Sequence, residues 1–433
     1  MSGLPGATID HSSYAAVRAA SEALCAPLET DDYGVQPMDD ASPPKWHLAH
    51  TTWFFETFLL KPLLPGYRAF DERFEFLFNS YYNGIGEQYP RPRRGVLSRP
   101  TVDAVYEYRR HVDAAMASLL ERPEAETRAR VELGLHHEQQ HQELLLTDIK
   151  CILGTNPLLP AYRRDLATVP AGALDDGGGF IEFDGGIISV GACGPEQAFC
   201  FDNELPRHDV LLRPFALADR LVSNGEFLAF VEDGGYRRPE LWLSDGWAAM
   251  AGQPAVDAPD RRPGVGPRPG PLYWYREDGE WFEYRLCGPA PLRYDLPVTH
   301  VSFYEADAFS RWAGCRLPTE HEWEVVACEQ PVVGNFADAE VLHPRLAAGG
   351  GRRPAQMFGD VWEWTASPYV AYPGYRPLPG TLGEYNGKFM SNQLVLRGGS
   401  CATPEGHVRP SYRNFFYPGD RWQFTGIRLA HDL

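Results

Sequence analysis

The first third of the chain repeats the spacing of apolar residues that is typical of amphipathic helices. Apolar side chains recur at intervals of three and four residues, the period at which they line up along one face of a helix. Ser42 is the predicted N-cap of one such helix, with Pro43 at its first helical position. The pattern predicts four helices, at about Tyr14–Leu24, Ser42–Leu60, Val102–Leu120 and Glu124–Leu153. Four long helices joined by loops predict an antiparallel bundle, whose core is a common place for a metal site.

The pattern changes from about Arg164 onward. Glycine and proline become dense, and short runs such as Phe180–Val190 and Asp209–Leu217 are typical of strands. A chain of 433 residues is also too long for one hydrophobic core. We therefore predict a multi-domain protein of α and α+β class, with a helical domain over residues 1–163 and an α+β domain over residues 164–433.

Composition narrows the class of protein further. With 44% hydrophobic and 23% charged residues, the chain is typical of a soluble globular protein. A formal net charge of -18 argues against a nucleic-acid partner and against an anionic membrane surface. The chain has no apolar run of the roughly 20 residues that a membrane span needs, and its first residues lack a secretory signal pattern. Eight cysteines without CxxC spacing indicate reduced thiols, so we expect a cytoplasmic protein. The sequence does not indicate an oligomeric state.

The strongest chemical signal is the segment His137-Glu138-Gln139-Gln140-His141. Two histidines four residues apart on a helix project from one face, so both imidazoles can reach one metal ion. Two neutral imidazoles suit zinc, copper, nickel or ferrous iron. The segment also fits the H-E-x-x-H pattern of zinc metalloproteases, in which Glu138 would be the general base.

A third imidazole is available on another predicted helix. His50 lies on one stripe with Trp46 and Trp53, at positions i, i+4 and i+7, and such a stripe faces the core. The histidine pair lies on a similar stripe, formed by Leu133, His137, His141 and Leu144. Both helices would direct imidazoles into the same bundle core, and His50, His137 and His141 would form a facial three-histidine site. His47 and His136 lie off these stripes and are treated as peripheral.

The third imidazole weakens the protease interpretation. A metalloprotease of that pattern takes its third ligand from downstream of the H-E-x-x-H helix, and the segment from Gln142 to Asn156 contains no histidine. Glu143 is too close along the helix to be that ligand. Without a catalytic role, Glu138 would be a carboxylate near the metal or on the surface.

Two segments in the helical half carry a resemblance to a known family. Residues Asp40–His50 and Leu135–Glu143 resemble the EgtB-type sulfoxide synthases of ergothioneine biosynthesis, and the resemblance covers essentially the whole chain. The family joins a DinB-like four-helix bundle to a formylglycine-generating-enzyme-like domain with a C-type-lectin-like fold. Five motifs of the second domain are present in order: Pro297–Phe303, Arg316–Glu324, Gly359–Thr365, Leu396–Ser400 and Gly426–Arg428. They are specific for the fold and weak for function, since this scaffold hosts several functions.

The resemblance implies a non-haem iron enzyme. His50, His137 and His141 would bind Fe(II), and the small-molecule substrates would be hercynine (Nα-trimethylhistidine), cysteine and O2. The product would be a sulfoxide whose sulfur is bonded to the imidazole carbon between the two ring nitrogens. A tyrosine near the iron suits the proton donor, because it stays protonated at neutral pH. Tyr81 and Tyr82 match a tyrosine pair of one branch of the family, and the sequence does not separate them.

Substrate-binding residues are implied in the same way. Gln140 matches a position that hydrogen-bonds the substrate imidazole, and Asn414 matches one that binds the hercynine carboxylate. Phe415 and Phe416 would face the quaternary ammonium by cation–π attraction. The branch that uses γ-glutamylcysteine has Asp in place of Phe416, so this chain favours free cysteine. Charge-assisted hydrogen bonds from Arg91 and Arg94 would hold the carboxylate of the sulfur donor.

Several alternatives stay open at this stage. The alternative donors are γ-glutamylcysteine and a selenosugar as in selenoneine synthesis, and the alternative acceptor is unmethylated histidine as in ovothiol-type enzymes. From other classes, a zinc metalloprotease and a non-enzymatic lectin-like binding protein remain. Formylglycine generation needs a cysteine pair close to the C-terminal end, where this chain has only Cys401.

Overall fold

The computed structural model describes residues 10–169, 178–250, 269–347 and 353–433, which fall into two compact units. The first unit lies within Met1–Leu153 and also takes in Pro377–Gly387, while the second comprises Gly154–Arg376 and Lys388–Leu433. The chain therefore enters the first unit twice. A domain boundary at residues 163 and 164 stays a prediction.

The first unit is helical, as the sequence pattern indicates. Its helices are α1 (His11–Cys25), α2 (Pro44–Phe55), α3 (Phe74–Phe78), α4 (Val102–Leu119) and α5 (Ala125–Thr155). The side chain of Asp10 caps α1 by accepting the backbone N–H groups of Ser12 and Ser13. The chain after α2 continues through a π-helical turn, Glu56–Leu60, and a short helix, Lys61–Leu63.

The predicted start of α2 is wrong by one residue. Helix α2 begins at Pro44, and Pro43, in an extended conformation, is its N-cap. Ser42 precedes the N-cap, and its hydroxyl accepts a hydrogen bond from Arg94 at 2.9 Å. Its backbone N–H donates to the carboxylate of Asp148 on α5 at 2.7 Å. This contact ties the entry of α2 to the helix that carries the histidine pair.

Helix α2 forms the centre of the first unit and packs against α4. All twelve of its residues are buried, including Trp53 and Phe54, which have no exposed surface. Burying one large apolar side chain contributes about 1.5–3 kcal/mol. Because α2 is enclosed on every side, a polar residue at any of its positions needs a partner in the interior.

The second unit combines short helices with several small sheets. Its helices are α6 (Asn224–Glu232), α7 (Ser244–Met250), α8 (Phe303–Trp312) and α9 (Glu320–Ala327). Its strands are β1 (Phe180–Phe183), β2 (Gly186–Val190), β3 (His208–Leu212), β4 (Phe215–Ala218), β5 (Trp274–Glu277), β6 (Glu280–Arg285), β7 (Gly288–Pro291), β8 (Trp362–Pro368), β9 (Leu394–Arg397), β10 (Asn414–Phe416), β11 (Thr425–Gly426) and β12 (Ala430–Asp432). The sheet orders are β1-β4-β12, β10-β9-β8-β11, β2-β3 and β5-β6-β7. The pairs are antiparallel except for β11 with β8.

Each of the two predicted strands is in fact two strands. The run Phe180–Val190 divides into β1 and β2, and the run Asp209–Leu217 contributes to β3 and β4. The breaks occur where the backbone bends: a Cβ on Gly185 would lie 2.4 Å from the carbonyl oxygen of Leu212, and Pro214 has no N–H to donate to a neighbouring strand. As a result β1 pairs with β4, whereas β2 pairs with β3.

Buried ion pairs organise the core of the second unit. The carboxylate of Glu320 accepts hydrogen bonds from Arg397 and Arg413, each at 2.8 Å. The carboxylate of Glu363 accepts from Arg428 at 2.8 Å and from Trp323 at 2.9 Å. Buried charges are tolerated when they are paired in this way. The motifs around these residues are therefore structural.

No helix in the described ranges is both long and apolar enough to cross a bilayer.

Candidate metal centre

His50 lies at the middle of α2, in the core of the first unit. Its imidazole stacks between the indoles of Trp46 and Trp53, with ring centroids 4.6 and 5.6 Å away. The Nδ1 atom lies 2.6 Å from the carbonyl oxygen of Phe78. A carbonyl oxygen only accepts, so Nδ1 carries the proton and Nε2 keeps its lone pair. The His50 ring is thus fixed in position, with the lone pair of Nε2 available to bind a metal.

His137 and His141 lie one turn apart on α5 and face His50. The three ring centroids are 4.7–5.0 Å apart, and one nitrogen from each ring lies within 4.8 Å of the other two. The Nε2 atoms of His50 and His137 are 3.2 Å apart. The structure therefore brings together the three histidines that the two stripes indicate.

The electrostatics of the cluster suit a cation. Burial lowers the pKa of His137 to about 3 and the pKa values of His50 and His141 well below the ordinary value, and neighbouring imidazoles add to the effect for these two. The rings are therefore neutral at pH 7, and neutral imidazoles have a lone pair available to a metal. Three imidazoles suit iron, zinc, copper or nickel.

Glu138 lies between the two histidines in sequence and is fully buried on α5. Its carboxylate accepts hydrogen bonds from Arg18 at 2.9 Å, Arg109 at 3.1 Å and Ser21 at 2.7 Å. Two guanidinium groups lower the pKa of Glu138 despite its burial. A carboxylate held in this way is not available as a general base, so the metalloprotease interpretation loses its central residue. Of the two positions expected for Glu138, the one on the surface is wrong, because the side chain is fully buried.

A group of three tyrosines reaches the histidine cluster through Tyr385, which the sequence pattern did not indicate. The rings of Tyr81 and Tyr82 are 4.7 Å apart, and burial raises the pKa of both, so both stay protonated at neutral pH. Tyr385 belongs to the Pro377–Gly387 segment, and its ring lies 6.1 Å from that of Tyr81 and 5.7 Å from that of His137. No local pattern marks Tyr385, because more than 200 residues of sequence separate it from the helices it joins.

Glu384 holds the segment Pro377–Gly387 against the loop that carries Tyr81 and Tyr82. Its carboxylate accepts the backbone N–H groups of Asn83 at 2.9 Å and Gly84 at 2.8 Å. A Cβ on Gly84 would lie 2.3 Å from the side chain of Thr381, so only glycine fits there without a shift. The loop that carries Tyr81 and Tyr82 is thereby held against Tyr385.

The two candidate arginines differ in environment. Arg94 is buried, with its guanidinium carbon 3.3 Å from the centroid of the Trp46 ring and a hydrogen bond to Ser42 at 2.9 Å. Burial and neighbouring Arg91 lower the pKa of Arg94 well below its ordinary value, and no carboxylate of the described residues forms an ion pair with it. Since a guanidinium stays charged, this setting favours a bound anion. Arg91 is exposed and donates to the carbonyl of Asp40.

Comparison with known proteins agrees with this architecture. Residues 13–145 match the DinB superfamily, and residues 167–341 and 354–433 match the sulfatase-modifying factor enzyme 1-like domain. The hercynine oxygenase of Mycolicibacterium smegmatis is 32% identical over 79% of this chain and 86% of its own length. That of Mycolicibacterium thermoresistibile is 31% identical over 90% of this chain and 88% of its own length. The chain belongs to the hercynine oxygenase family.

Membership of the hercynine oxygenase family separates this chain from a second group of relatives. The formylglycine-generating enzyme of Thermomonospora curvata is 29% identical over 59% of this chain, and it covers less of the chain than the hercynine oxygenases do. All eight cysteines of this chain are free, including buried Cys401. The hercynine oxygenases match 79% and 90% of this chain, more than its sulfatase-modifying factor enzyme 1-like domain spans, so their match extends into the half that carries the three histidines.

The remaining candidate residues of this hercynine oxygenase family member belong to both units, Gln140 to the first and residues 414–416 to the second. Gln140 is half-buried on α5, one residue before His141. Asn414, Phe415 and Phe416 form β10 in the second unit and are half-buried. The side chain of Asn414 accepts the backbone N–H of Phe415 at 2.9 Å, and the Phe415 ring stacks on that of Tyr369 at 4.1 Å.

Proposed function

We propose that this chain is an iron(II)- and O2-dependent sulfoxide synthase that joins the sulfur of cysteine to the imidazole C2 of hercynine. The observation that carries the proposal is the buried cluster of His50, His137 and His141 in a chain of the hercynine oxygenase family. Eight free cysteines support a reducing, cytoplasmic setting. A product with this sulfoxide belongs to ergothioneine biosynthesis.

The reaction balances as a four-electron oxidation by O2. The imidazole C2–H and the thiol S–H bonds break, and a C–S bond and an S–O bond form. One oxygen atom of O2 ends in the sulfoxide, and the other leaves as water with the two hydrogens. Iron(II) at the three histidines would supply the redox chemistry that couples these bond changes to O2.

The protein would bind the two substrates through side chains of both units. Arg94 is proposed to bind the carboxylate of cysteine, because it forms no ion pair within 4.0 Å with a carboxylate of the described residues and its guanidinium stacks on Trp46, the neighbour of His50. The carboxylate of Asp148 acts on its charge only from a longer distance. Exposed Arg91 would assist. Gln140 is proposed to hydrogen-bond the hercynine imidazole, Asn414 its carboxylate, and Phe415 and Phe416 its quaternary ammonium.

Product analysis with defined substrates tests the function. The protein, reconstituted with Fe(II) without oxygen, is given O2, hercynine and one of three donors: cysteine, γ-glutamylcysteine or a selenosugar. We expect O2 uptake and a sulfoxide product with cysteine, at a higher rate than with the other donors. Histidine in place of hercynine is the control for the acceptor. Absence of a C–S product with every donor would refute the assignment, and one equivalent of zinc with peptidase activity would restore the protease.

Substitution of the three tyrosines tests the proton donor. We expect one of Tyr81→Phe, Tyr82→Phe and Tyr385→Phe to slow sulfoxide formation about 100-fold or more and to shift the product toward cysteine sulfinate, because loss of a general acid typically costs this much. Product ratios by mass spectrometry measure the shift. Tyr67→Phe is the matched control, since the Tyr67 hydroxyl donates to Glu56 instead. Unchanged ratios in all three variants would remove tyrosine from the mechanism.

A further inference from the structure

His47 lies in the interior of the first unit, although its position is off the stripe of His50. Only 3% of its surface is exposed. Its Nδ1 atom is 2.9 Å from Nδ1 of His141, and its Nε2 atom is 2.9 Å from the carboxylate of Asp148. Asp148 is seven residues after His141 on α5, so the row Asp148, His47, His141 bridges α2 and α5.

The carboxylate of Asp148, at the end of the row away from the cluster, determines the direction of the hydrogen bonds in the row. The same oxygen of Asp148 accepts the backbone N–H of Ser42, which can only donate. The carboxylate is thus an acceptor toward both neighbours, and His47 must carry its proton on Nε2. In a neutral His47 the Nδ1 atom then has a lone pair, which accepts the Nδ1–H of His141.

This placement of protons determines which nitrogen of His141 faces the histidine cluster. With its proton on Nδ1, His141 presents the lone pair of Nε2 to the cluster. The negative charge of Asp148 also increases the electron density on that imidazole through the chain of hydrogen bonds. We infer that His47 and Asp148 are positioning residues that fix His141 as an Nε2 ligand and strengthen its bond to the metal.

The three proposed metal ligands therefore differ in the hydrogen-bond partner of their Nδ1 atom. His50 donates to the neutral carbonyl of Phe78, and His141 donates through His47 toward a carboxylate. The Nδ1 atom of His137 is buried and meets no hydrogen-bond partner among the described residues. Loss of a hydrogen-bond partner of a metal ligand typically weakens metal affinity about 10–100-fold. Removing His47 or Asp148 should therefore weaken metal binding although neither residue is a ligand.

Paired substitutions at His47 separate positioning from packing. His47→Leu removes both hydrogen bonds, whereas His47→Gln keeps an acceptor for His141 and a donor for Asp148 on one side-chain amide. We expect His47→Leu and Asp148→Asn to weaken Co(II) and Fe(II) binding about 10–100-fold, and His47→Gln to stay within a few-fold of wild type. The Co(II) absorption bands should shift in His47→Leu and be restored in His47→Gln.

The inference rests on the metal site of the proposed function and not on its substrates, so the metal alone is the probe. Far-UV circular dichroism of the metal-free variants reports folding, and His111→Leu, at an exposed position, is the matched control. If His47→Leu is folded and binds Co(II) with wild-type affinity and bands, the positioning role is wrong while the metal site stands. A wild-type protein that binds no divalent metal would overturn both.

Discussion

Replacing His137 with alanine is expected to remove the bound metal and to lower sulfoxide formation by more than about 100-fold, beyond the 10–100-fold typical for outer partners of a ligand. The reason is geometric: the Nε2 atoms of His137 and His50 lie 3.2 Å apart, and no other group of the metal-ligating types takes part in the described cluster. Metal content after reconstitution without oxygen and O2 uptake with both substrates measure the two effects.

Two further variants make this result specific. His137→Gln fills a similar volume without an imidazole and should lose the metal as alanine does, while the protein stays folded. His136→Ala changes the neighbouring, half-buried histidine and should keep one equivalent of metal. Full metal content and activity in His137→Gln would show that the cluster is not the metal centre.

Replacing Glu138 with alanine is expected to destabilise the protein by about 3–5 kcal/mol, because Arg18 and Arg109 would remain buried without their shared carboxylate. The shift of the urea midpoint of the metal-free protein measures the free energy of unfolding. Glu126→Ala on the same helix removes an exposed ion pair with Arg130 and should cost less than about 0.5 kcal/mol.

The same substitution also distinguishes the two roles considered for Glu138. If Glu138 is structural, the Glu138→Ala protein is less stable but, once folded, keeps its metal content. If Glu138 is a general base, the variant keeps its stability and loses its activity. A variant as stable as wild type but inactive would contradict the structural role and reopen hydrolytic chemistry.

Much of the site was accessible from periodicity. The stripes of His50 and of His137 with His141 predicted which imidazoles face one another, because a buried helix face repeats every three to four residues. The same rule failed for His47. It assumes that a helix has a polar side facing water, whereas α2 is buried on all sides, so a residue off the stripe is interior as well.

Other features depend on contacts between residues distant in the chain. Tyr385 reaches His137 through a segment that returns from the second half of the sequence, and no local pattern records such a return. Each predicted strand is divided near Gly185 and Pro214, and the two parts pair with different strands, which the local sequence does not indicate. Periodicity describes which face is buried, and it does not describe what that face meets.

The return of Pro377–Gly387 has a consequence for how the chain is made. On the ribosome, the helices that carry the three histidines emerge early, but the carboxylate of Glu384 that holds the backbone at Asn83 and Gly84 is synthesised much later. The metal ligands are thus complete by residue 141, while the neighbourhood of tyrosines around them is complete only after residue 387. A nascent or truncated helical half contains all three metal ligands but lacks the segment that brings Tyr385 and Glu384 to them.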